Sequence, residues 1–301
     1  NRLEILLYHF VSASEDEFTR SGHNVDPHEF ERQLVYLSES FTIVRLSELT
    51  ALMSGQARPA GPYAAVCFDD GYLNNLGEAY PILEKLEIPA TVFVCPSVLD
   101  NCDLLWRDKV RYLVQVGLEG EFIEFLKSRK HAATYRFERL ETKSFYQWSK
   151  EKDSIVTMGI QRDLKEFFDA HALDAAAIAA SHNLFMSRRD LKNYPFLDFG
   201  NHTWTHPLMT CLNYEDQKNE IWKAHAFLTA AGIKPIGLAM PFGPYTPDTL
   251  RICTELGYDS AFTTFTTRDR INLVSPSDSH QARVFGRRIA PRTLKQLRET
   301  V

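Results

Sequence analysis

The segment Ala64–Gly71 reads A-A-V-C-F-D-D-G, a short apolar run that ends in two aspartates and a glycine. Such runs are typical of strands buried on both faces of a parallel sheet. Ala90–Val94 (A-T-V-F-V) has the same character, and the intervening Gly77–Leu86 has helical periodicity. Strands that alternate with helices predict a parallel sheet covered by helices, with ligands bound at the carboxyl ends of the strands.

The same alternation continues in both directions along the chain. Upstream, Leu3–Phe10 reads as a strand, and a helix begins where Asp26 caps, Pro27 takes the first helical position and Glu29 completes a capping box. Downstream, further strands are predicted at Phe196–Gly200, Ile236–Met240, Ser260–Thr264 and Val284–Ile289. About seven strands result, and they could close into a barrel or remain an open sheet.

The stretch from about residue 103 to residue 193 differs from its surroundings. It is rich in helix formers and mixed charges, and it contains no convincing strand pattern. We expect a helical insertion within a single domain that spans residues 1–301.

Composition excludes several classes of protein. The chain has 301 residues, of which 44% are hydrophobic and 24% charged, as in ordinary globular proteins. A net charge of −5 argues against binding of nucleic acid by bulk charge, and no apolar run is long enough for a transmembrane segment. The five cysteines form no C-x-x-C pair, and Asn1–Glu4 lacks a signal-peptide pattern. These features favour a cytoplasmic protein, with a periplasmic or exported one as the alternative.

Two short motifs suggest metal chemistry. In N-H-T-W-T-H-P, His202 and His206 are four residues apart, so on a helical turn both rings could bind one ion. Two unrelated histidines would give the same spacing. The adjacent Asp69 and Asp70 would repel each other unless a cation compensates them, although a plain Asp-Gly turn also explains them. Together, Asp70, His202 and His206 would form a two-His, one-carboxylate site with open positions, the pattern of a catalytic zinc.

These motifs resemble those of the polysaccharide deacetylases, the NodB-homology proteins of carbohydrate esterase family four. The resemblance rests on F-D-D-G at 68–71, H-T-W-T-H at 202–206 and A-M-P-F-G-P-Y at 239–245. The third motif matches the A-Y-P-F-G variant of the family and not the more widespread R-P-P-Y form. The resemblance implies a distorted (β/α)7-type barrel with a helical insertion.

The resemblance also implies roles for individual residues. Asp69 would be the general base, and Asp70, His202 and His206 would be the metal ligands. The backbone N–H of Phe242 would stabilise the oxyanion.

Two further roles are less direct. The late L-x-x-H motif that carries the general acid is absent near the C-terminus, but Leu6–His9 (L-L-Y-H) fits it, as in circularly permuted members, so His9 is expected to be the acid. The arginine that orients the base has two candidates, Arg287 and Arg288, and we expect Arg288.

The substrate implied by the resemblance is an N-acetylated amino sugar in a glycan or glycoconjugate, from which acetate is released. Hydrolysis of another amide or an O-acetyl ester, or a non-catalytic carbohydrate-binding role, remains open. One divalent metal ion is expected, and Zn²⁺ is the preferred candidate. Two imidazoles and a carboxylate also accept Co²⁺ or Ni²⁺. Neither a nucleic-acid partner nor an oligomeric state is indicated. The residues expected to contact substrate are Tyr72, Trp106, Trp204 and Pro241.

Overall fold

The computed structural model describes residues 3–14, 16–20, 23–54, 61–135, 137–149, 156–265 and 282–301. The strands, β1 to β10 in chain order, are Leu3–Tyr8, Phe10–Val11, Asn24–Val25, Thr42–Ile43, Tyr63–Phe68, Ala90–Val94, Leu197–Asn201, Leu238–Ala239, Ser260–Phe265 and Arg283–Ile289. The α-helices, α1 to α12, are Glu17–Arg20, Pro27–Ser40, Leu46–Ser54, Tyr80–Lys85, Trp106–Gln115, Glu119–Lys127, Phe145–Ser149, Val156–Ala170, Ala175–Ser181, Tyr214–Ala230, Pro247–Glu255 and Leu294–Thr300. A π-helical turn at Asn75–Ala79 precedes α4, and 3-10 turns lie at Pro96–Asn101, Ala132–Tyr135, Phe137–Glu141, Arg188–Lys192 and Met209–Cys211.

Seven parallel strands form a closed ring. Their order is β1-β10-β9-β8-β7-β6-β5, and β1 pairs with β5 along its whole length to complete the circle. The short β4 pairs with Tyr63 and Ala64 at the start of β5, below the point where β6 begins to pair at Val66. The predicted (β/α)7-type barrel is therefore confirmed.

Side chains alternate between the inside and the outside of this barrel. The interior cluster contains Ile5, Leu7, Ala65, Cys67, Phe93, Ala239, Phe262 and Phe285. Because successive residues of a strand point to opposite faces, this alternation also determines which polar residues near the strand ends face inward.

The first long helix, α2, begins as predicted but uses one residue differently. The carboxylate of Asp26 accepts hydrogen bonds from the backbone N–H groups of His28 and Glu29, and Pro27 occupies the first turn. The predicted capping box is wrong, because the Glu29 carboxylate accepts a hydrogen bond from the N–H of Leu294 at 2.7 Å. Glu29 therefore ties α2 to the C-terminal helix α12 instead of closing its own helix start.

The described part of the 103–193 stretch is helical, as predicted, and consists of α5 to α9 with 3-10 turns. Its one strand-like pairing within those ranges is an isolated bridge between Phe185 and Tyr72. An apolar cluster around Trp148, Phe122 and Phe167 holds the helices together and extends to the barrel rim.

Assignment of the whole chain to a single domain remains a prediction. Among the described residues, every helix is too short or too polar to span a membrane.

Gly200 in β7 gives room to a ring at the centre of the barrel. A Cβ atom at this position would lie 2.3 Å from Cδ1 of Phe93. That ring is held between Phe262, with centroids 5.2 Å apart, and the guanidinium carbon of Arg287, 5.2 Å from the centroid. We expect Gly200→Ala to lower the free energy of unfolding by about 1–3 kcal/mol through overpacking, as measured by denaturant titration.

The same substitution at an open glycine provides the control. No atom lies within 4 Å of a Cβ added to Gly120 in α6. Gly120→Ala is expected to leave the free energy of unfolding unchanged or to raise it by up to about 1 kcal/mol, because alanine is the better helix former. Equal destabilisation by both substitutions would contradict the packing argument.

Candidate metal and catalytic site

The polar residues singled out in the sequence follow the carboxyl ends of neighbouring barrel strands. His9 follows β1, Asp69 and Asp70 follow β5, His202 follows β7, and Phe242 lies in the turn after β8. The carboxyl ends of parallel strands share one rim of the barrel, so these segments meet there.

Three buried side chains converge at this rim. Oδ1 of Asp70 lies 3.4 Å from Nε2 of His202 and 3.4 Å from Nε2 of His206. All three ligand atoms lie within 4.8 Å of one another. Although buried, Oδ1 of Asp70 has no hydrogen-bond partner, which is uncommon for a buried acceptor. An unsatisfied carboxylate oxygen between two imidazole nitrogens fits a divalent ion chemically.

The same grouping controls the charge of Asp70. Burial alone would raise the pKa of its carboxyl, but His206 and His202 outweigh that effect and hold the pKa well below its usual value. The carboxylate is therefore ionised at neutral pH, as a metal ligand must be.

Hydrogen bonds hold the ring of His202 and the backbone of His206. Nδ1 of His202 lies 2.8 Å from the carbonyl oxygen of Ala239 in β8 and donates to it, so Nε2 is the ring nitrogen that faces Asp70. The carbonyl of His206 accepts a hydrogen bond from the indole N–H of Trp106 at 3.0 Å, and its N–H donates to Oγ1 of Thr203. Partners of this kind set the orientation of metal-binding histidines.

The backbone is strained at several of these positions. Asp70, Thr203, His206 and Phe242 have φ angles of 75°, 66°, 62° and 61°. Left-handed conformations are costly for residues other than glycine and cluster at functional sites. At Asp70 this turn allows the two adjacent carboxylates to point to different partners.

The neighbouring Asp69 forms a buried ion pair. Its Oδ1 and Oδ2 accept hydrogen bonds from Nη1 and Nη2 of Arg287 at 2.6 and 2.9 Å. Burial would raise the pKa of Asp69, but Arg287 outweighs that effect, and the pKa lies below its usual value. Asp69 is thus held ionised and fixed in orientation.

The arginine that pairs with Asp69 is therefore Arg287, which corrects the expectation of Arg288 in this place. Phe285 faces the barrel interior, so two residues later Arg287 faces inward as well and Arg288 faces outward. On the outer face, Nε of Arg288 lies 3.3 Å from Oε2 of Glu4. Strand alternation in V-F-G-R-R-I could have given this assignment from the sequence.

His9 lies near Asp69 and Asp70. It follows Ile5 and Leu7 at intervals of two residues, so it faces the inside of the barrel as they do. Burial lowers the pKa of its ring to about 4, and the charges of Asp70 and Asp69 oppose that shift. Nδ1 of His9 is buried without a hydrogen-bond partner, and the ring centroid lies 5.4 Å from that of His23. His9 is consequently neutral at pH 7 and can accept a proton.

The aromatic residues predicted to contact substrate are used differently in the structure. Tyr72 is 1% exposed, stacks on Phe10 and Phe185, and donates a hydrogen bond to Asp108. Trp106 is 4% exposed, and its indole N–H donates a hydrogen bond to the carbonyl of His206. These contacts correct the expectation for both residues, since neither ring is open to a ligand.

Pro241 lies away from open space, whereas Trp204 is partly exposed and packs against α10. The half-buried Trp204 packs edge-on against Phe227 of α10, and Nζ of Lys223 lies 4.2 Å from its ring centroid. Pro241 is buried in the turn after β8. In contrast, the Phe242 ring beside it is partly exposed and meets the His206 ring edge-on at 4.9 Å.

One residue that the sequence did not single out holds the histidine loop. The carboxylate of Glu220 in α10 accepts hydrogen bonds from the N–H groups of Trp204 and Thr205 at 3.0 and 2.8 Å, and from Oγ1 of Thr205 at 2.8 Å. No sequence pattern indicates this contact, because Glu220 lies 15 residues after Thr205, in a different element of the fold.

Comparison with known proteins gives three results. The family model described as polysaccharide deacetylase matches residues 56–134 and 189–261. The curated Bacillus subtilis (strain 168) protein named "Putative polysaccharide deacetylase YxkH" is 26% identical over 121 residues, which is 40% of this chain and 41% of that protein. The match thus spans less than half the length of this relative.

Solved structures share the fold over nearly the whole chain. The Streptococcus pyogenes deacetylase PplD superposes with a TM-score of 0.57 at 19% identity, covering 100% of this chain and 98% of the other. IcaB from Ammonifex degensii gives 0.58 at 20% identity, covering 96% and 91%. A de-N-acetylase from Aggregatibacter actinomycetemcomitans gives 0.56 at 12% identity, with 100% of both chains covered. At these identities the likeness concerns the fold.

Proposed function

The chain belongs to the polysaccharide deacetylase family, and from this premise we propose that it is a metal-dependent hydrolase that removes the N-acetyl group of an amino sugar. The sugar would be part of a glycan or glycoconjugate, and the products would be acetate and a free amine. Family membership supports deacetylation of a carbohydrate. Metal dependence and N-acetyl specificity belong to the proposal.

One observation carries the proposal. Two adjacent buried aspartates have separate partners: Asp70 faces two histidines with an unsatisfied oxygen, and Asp69 forms a double hydrogen bond with Arg287. The first arrangement suits a metal ligand. The second suits a base that must stay ionised and oriented.

The metal site would consist of Asp70, His202 and His206. A divalent ion held there would act as a Lewis acid and lower the pKa of water to about 7. Zn²⁺ is the ion we propose, with Co²⁺ or Ni²⁺ accepted by the same donors.

The remaining residues would manage protons and charge. Asp69 would accept the proton of the attacking water, and Arg287 would keep it ionised until then. The N–H of Phe242 would stabilise the oxyanion that forms from the acetyl carbonyl, and one such donor can contribute about 3 kcal/mol. His9 would take up a proton from solvent and donate it to the departing nitrogen as the C–N bond breaks, and Asp69 would return the proton of the attacking water to solvent after acetate leaves. An amine needs this step far more than an alcohol does, so a histidine here favours N-acetyl substrates.

The experiment uses a matched pair of substrates. Metal-loaded protein is incubated with N-acetylglucosamine oligomers and with O-acetylated glucose oligomers, and loss of one acetyl group is followed by mass spectrometry. We expect loss from the N-acetylated oligomers, and we expect Asp69→Asn to stop it while one ion per chain is retained. Loss from the O-acetyl esters alone would replace the proposal with esterase activity.

A further inference from the structure

We propose that Arg107 binds an anionic group, a carboxylate or a phosphate, on the substrate of this enzyme. The inference rests on the proposed function and narrows it to acetylated amino sugars that carry a negative charge near the acetyl group.

Position is the first argument. Arg107 lies in the first turn of α5, next to Trp106, whose indole supports the metal-binding segment at His206. Its guanidinium carbon lies 5.0 Å from the ring centroid of Phe242, and that ring is 4.9 Å from the His206 ring. Arg107 therefore forms part of the wall of the site.

Uncompensated charge is the second argument. The other basic residues nearby are paired: Arg287 with Asp69, Arg111 with Asp108, and Lys109 with Asp103. Arg107 forms no ion pair with any carboxylate in the described ranges, and its Nε is buried without a hydrogen-bond partner. A half-buried guanidinium without a counterion is costly, and an anionic ligand would remove that cost.

Preorganisation is the third argument. Nη2 of Arg107 donates to the hydroxyl of Tyr146 at 2.8 Å, and the same hydroxyl accepts from Nη2 of Arg111 at 2.8 Å. Arg111 is anchored in turn by Asp108 and Tyr72. The guanidinium is thus held in place by the helical insertion before substrate arrives, which reduces the ordering cost of binding. Its planar donors suit carboxylate and phosphate oxygens.

The test compares neutral and anionic ligands of one sugar. Binding of N-acetylglucosamine, N-acetylglucosamine 6-phosphate and N-acetylmuramic acid is measured by calorimetry in metal-loaded protein with turnover stopped by Asp69→Asn. The phosphate and carboxylate ligands distinguish the two sources of charge. We expect at least one of them to bind about 10- to 100-fold tighter than the neutral sugar, as for a charge-assisted hydrogen bond to a partly buried group.

Variants then assign the preference to one residue. Arg107→Gln should remove it while changing binding of the neutral sugar less than about threefold, and Arg107→Lys should keep part of it. Lys109→Gln removes a charge from the same helix that Asp103 already neutralises, at 2.8 Å, so it should leave the preference intact. Acetate release from the same ligands by protein with Asp69 restored gives a second readout.

Two results would overturn the inference. One is equal binding of neutral and anionic ligands by protein with Arg107 in place. The other is a uniform loss across all ligands in Arg107→Gln. Absence of acetate release from every ligand, together with an intact binding preference, would count against the proposed reaction and leave the anion site standing.

Discussion

Replacement of Asp70 by alanine is expected to abolish stoichiometric metal binding and to lower acetate release by about a thousandfold or more. Asp70 is the carboxylate donor of the proposed site, and its Oδ1 faces both histidine Nε2 atoms at 3.4 Å. Two imidazoles alone would leave the ion without its one anionic ligand. Metal content per chain, measured by elemental mass spectrometry after dialysis, gives a readout that does not depend on turnover.

The matched control is Asp198→Ala. Asp198 lies in β7, the strand that leads to His202, but its carboxylate pairs with Arg45 at 2.9 Å near the amino end of that strand, away from the rim. This variant should retain one ion per chain and close to normal activity. If Asp70→Ala also retained one ion per chain, the ligand set would be wrong, whatever the activity.

Replacement of Arg287 by glutamine should destabilise the protein by about 3–5 kcal/mol at pH 7, because it leaves the buried Asp69 carboxylate without its partner. The pH dependence has a defined sign. In the native protein the pKa of Asp69 lies below its usual 3.8, so the ion pair stabilises the fold above that value and is lost as pH falls through the native-state pKa. In the variant, burial raises the pKa of Asp69, so acidification relieves the penalty. The stability difference between the two proteins should therefore shrink as pH falls from 7 towards 4.

Denaturant titrations at several pH values check this expectation, with Arg288→Gln as the control. Arg288 is the next residue along β10, but its pair with Glu4 lies on the outer face of the barrel. The control should lose less stability. Equal and pH-independent losses in the two variants would show that Asp69 does not depend on Arg287.

The pH dependence of acetate release should change in Arg287→Gln as well. A raised pKa leaves less of Asp69, the proposed base, ionised at a given pH, so the acidic limb of the rate profile should move to higher pH in Arg287→Gln.

Local sequence patterns predicted the parallel strands and their common rim, whereas closure into a barrel was implied by the family resemblance. Apolar runs such as Ala64–Phe68 mark buried strands, and the polar residues that follow them must share one rim in a parallel barrel. The spacing of His202 and His206 indicated the two histidines that lie beside Asp70 in the structure. The choice between Arg287 and Arg288 was also available from strand alternation, counted inward from Phe285.

Contacts made by the helical insertion were not predictable in this way. Tyr72 was expected to contact substrate because it directly follows D-D-G, and Trp106 because a large aromatic ring can stack on a sugar. Both are buried by partners distant in the chain, Phe185 in one case and the carbonyl of His206 in the other. Pairing between an inserted segment and a barrel rim leaves no periodic signal, so a ring that supports the site and a ring that touches substrate look alike in sequence.

The two imidazoles depend on different parts of the molecule. The ring of His202 is oriented by a carbonyl of the barrel strand β8, and the backbone of His206 is supported by an indole of the insertion helix α5. An ion shared by both would cross-link the barrel and the insertion. Metal loading and ordering of α5 would then be thermodynamically linked, so that each strengthens the other, and a partial opening of the inserted helices would be a route for the ion to leave.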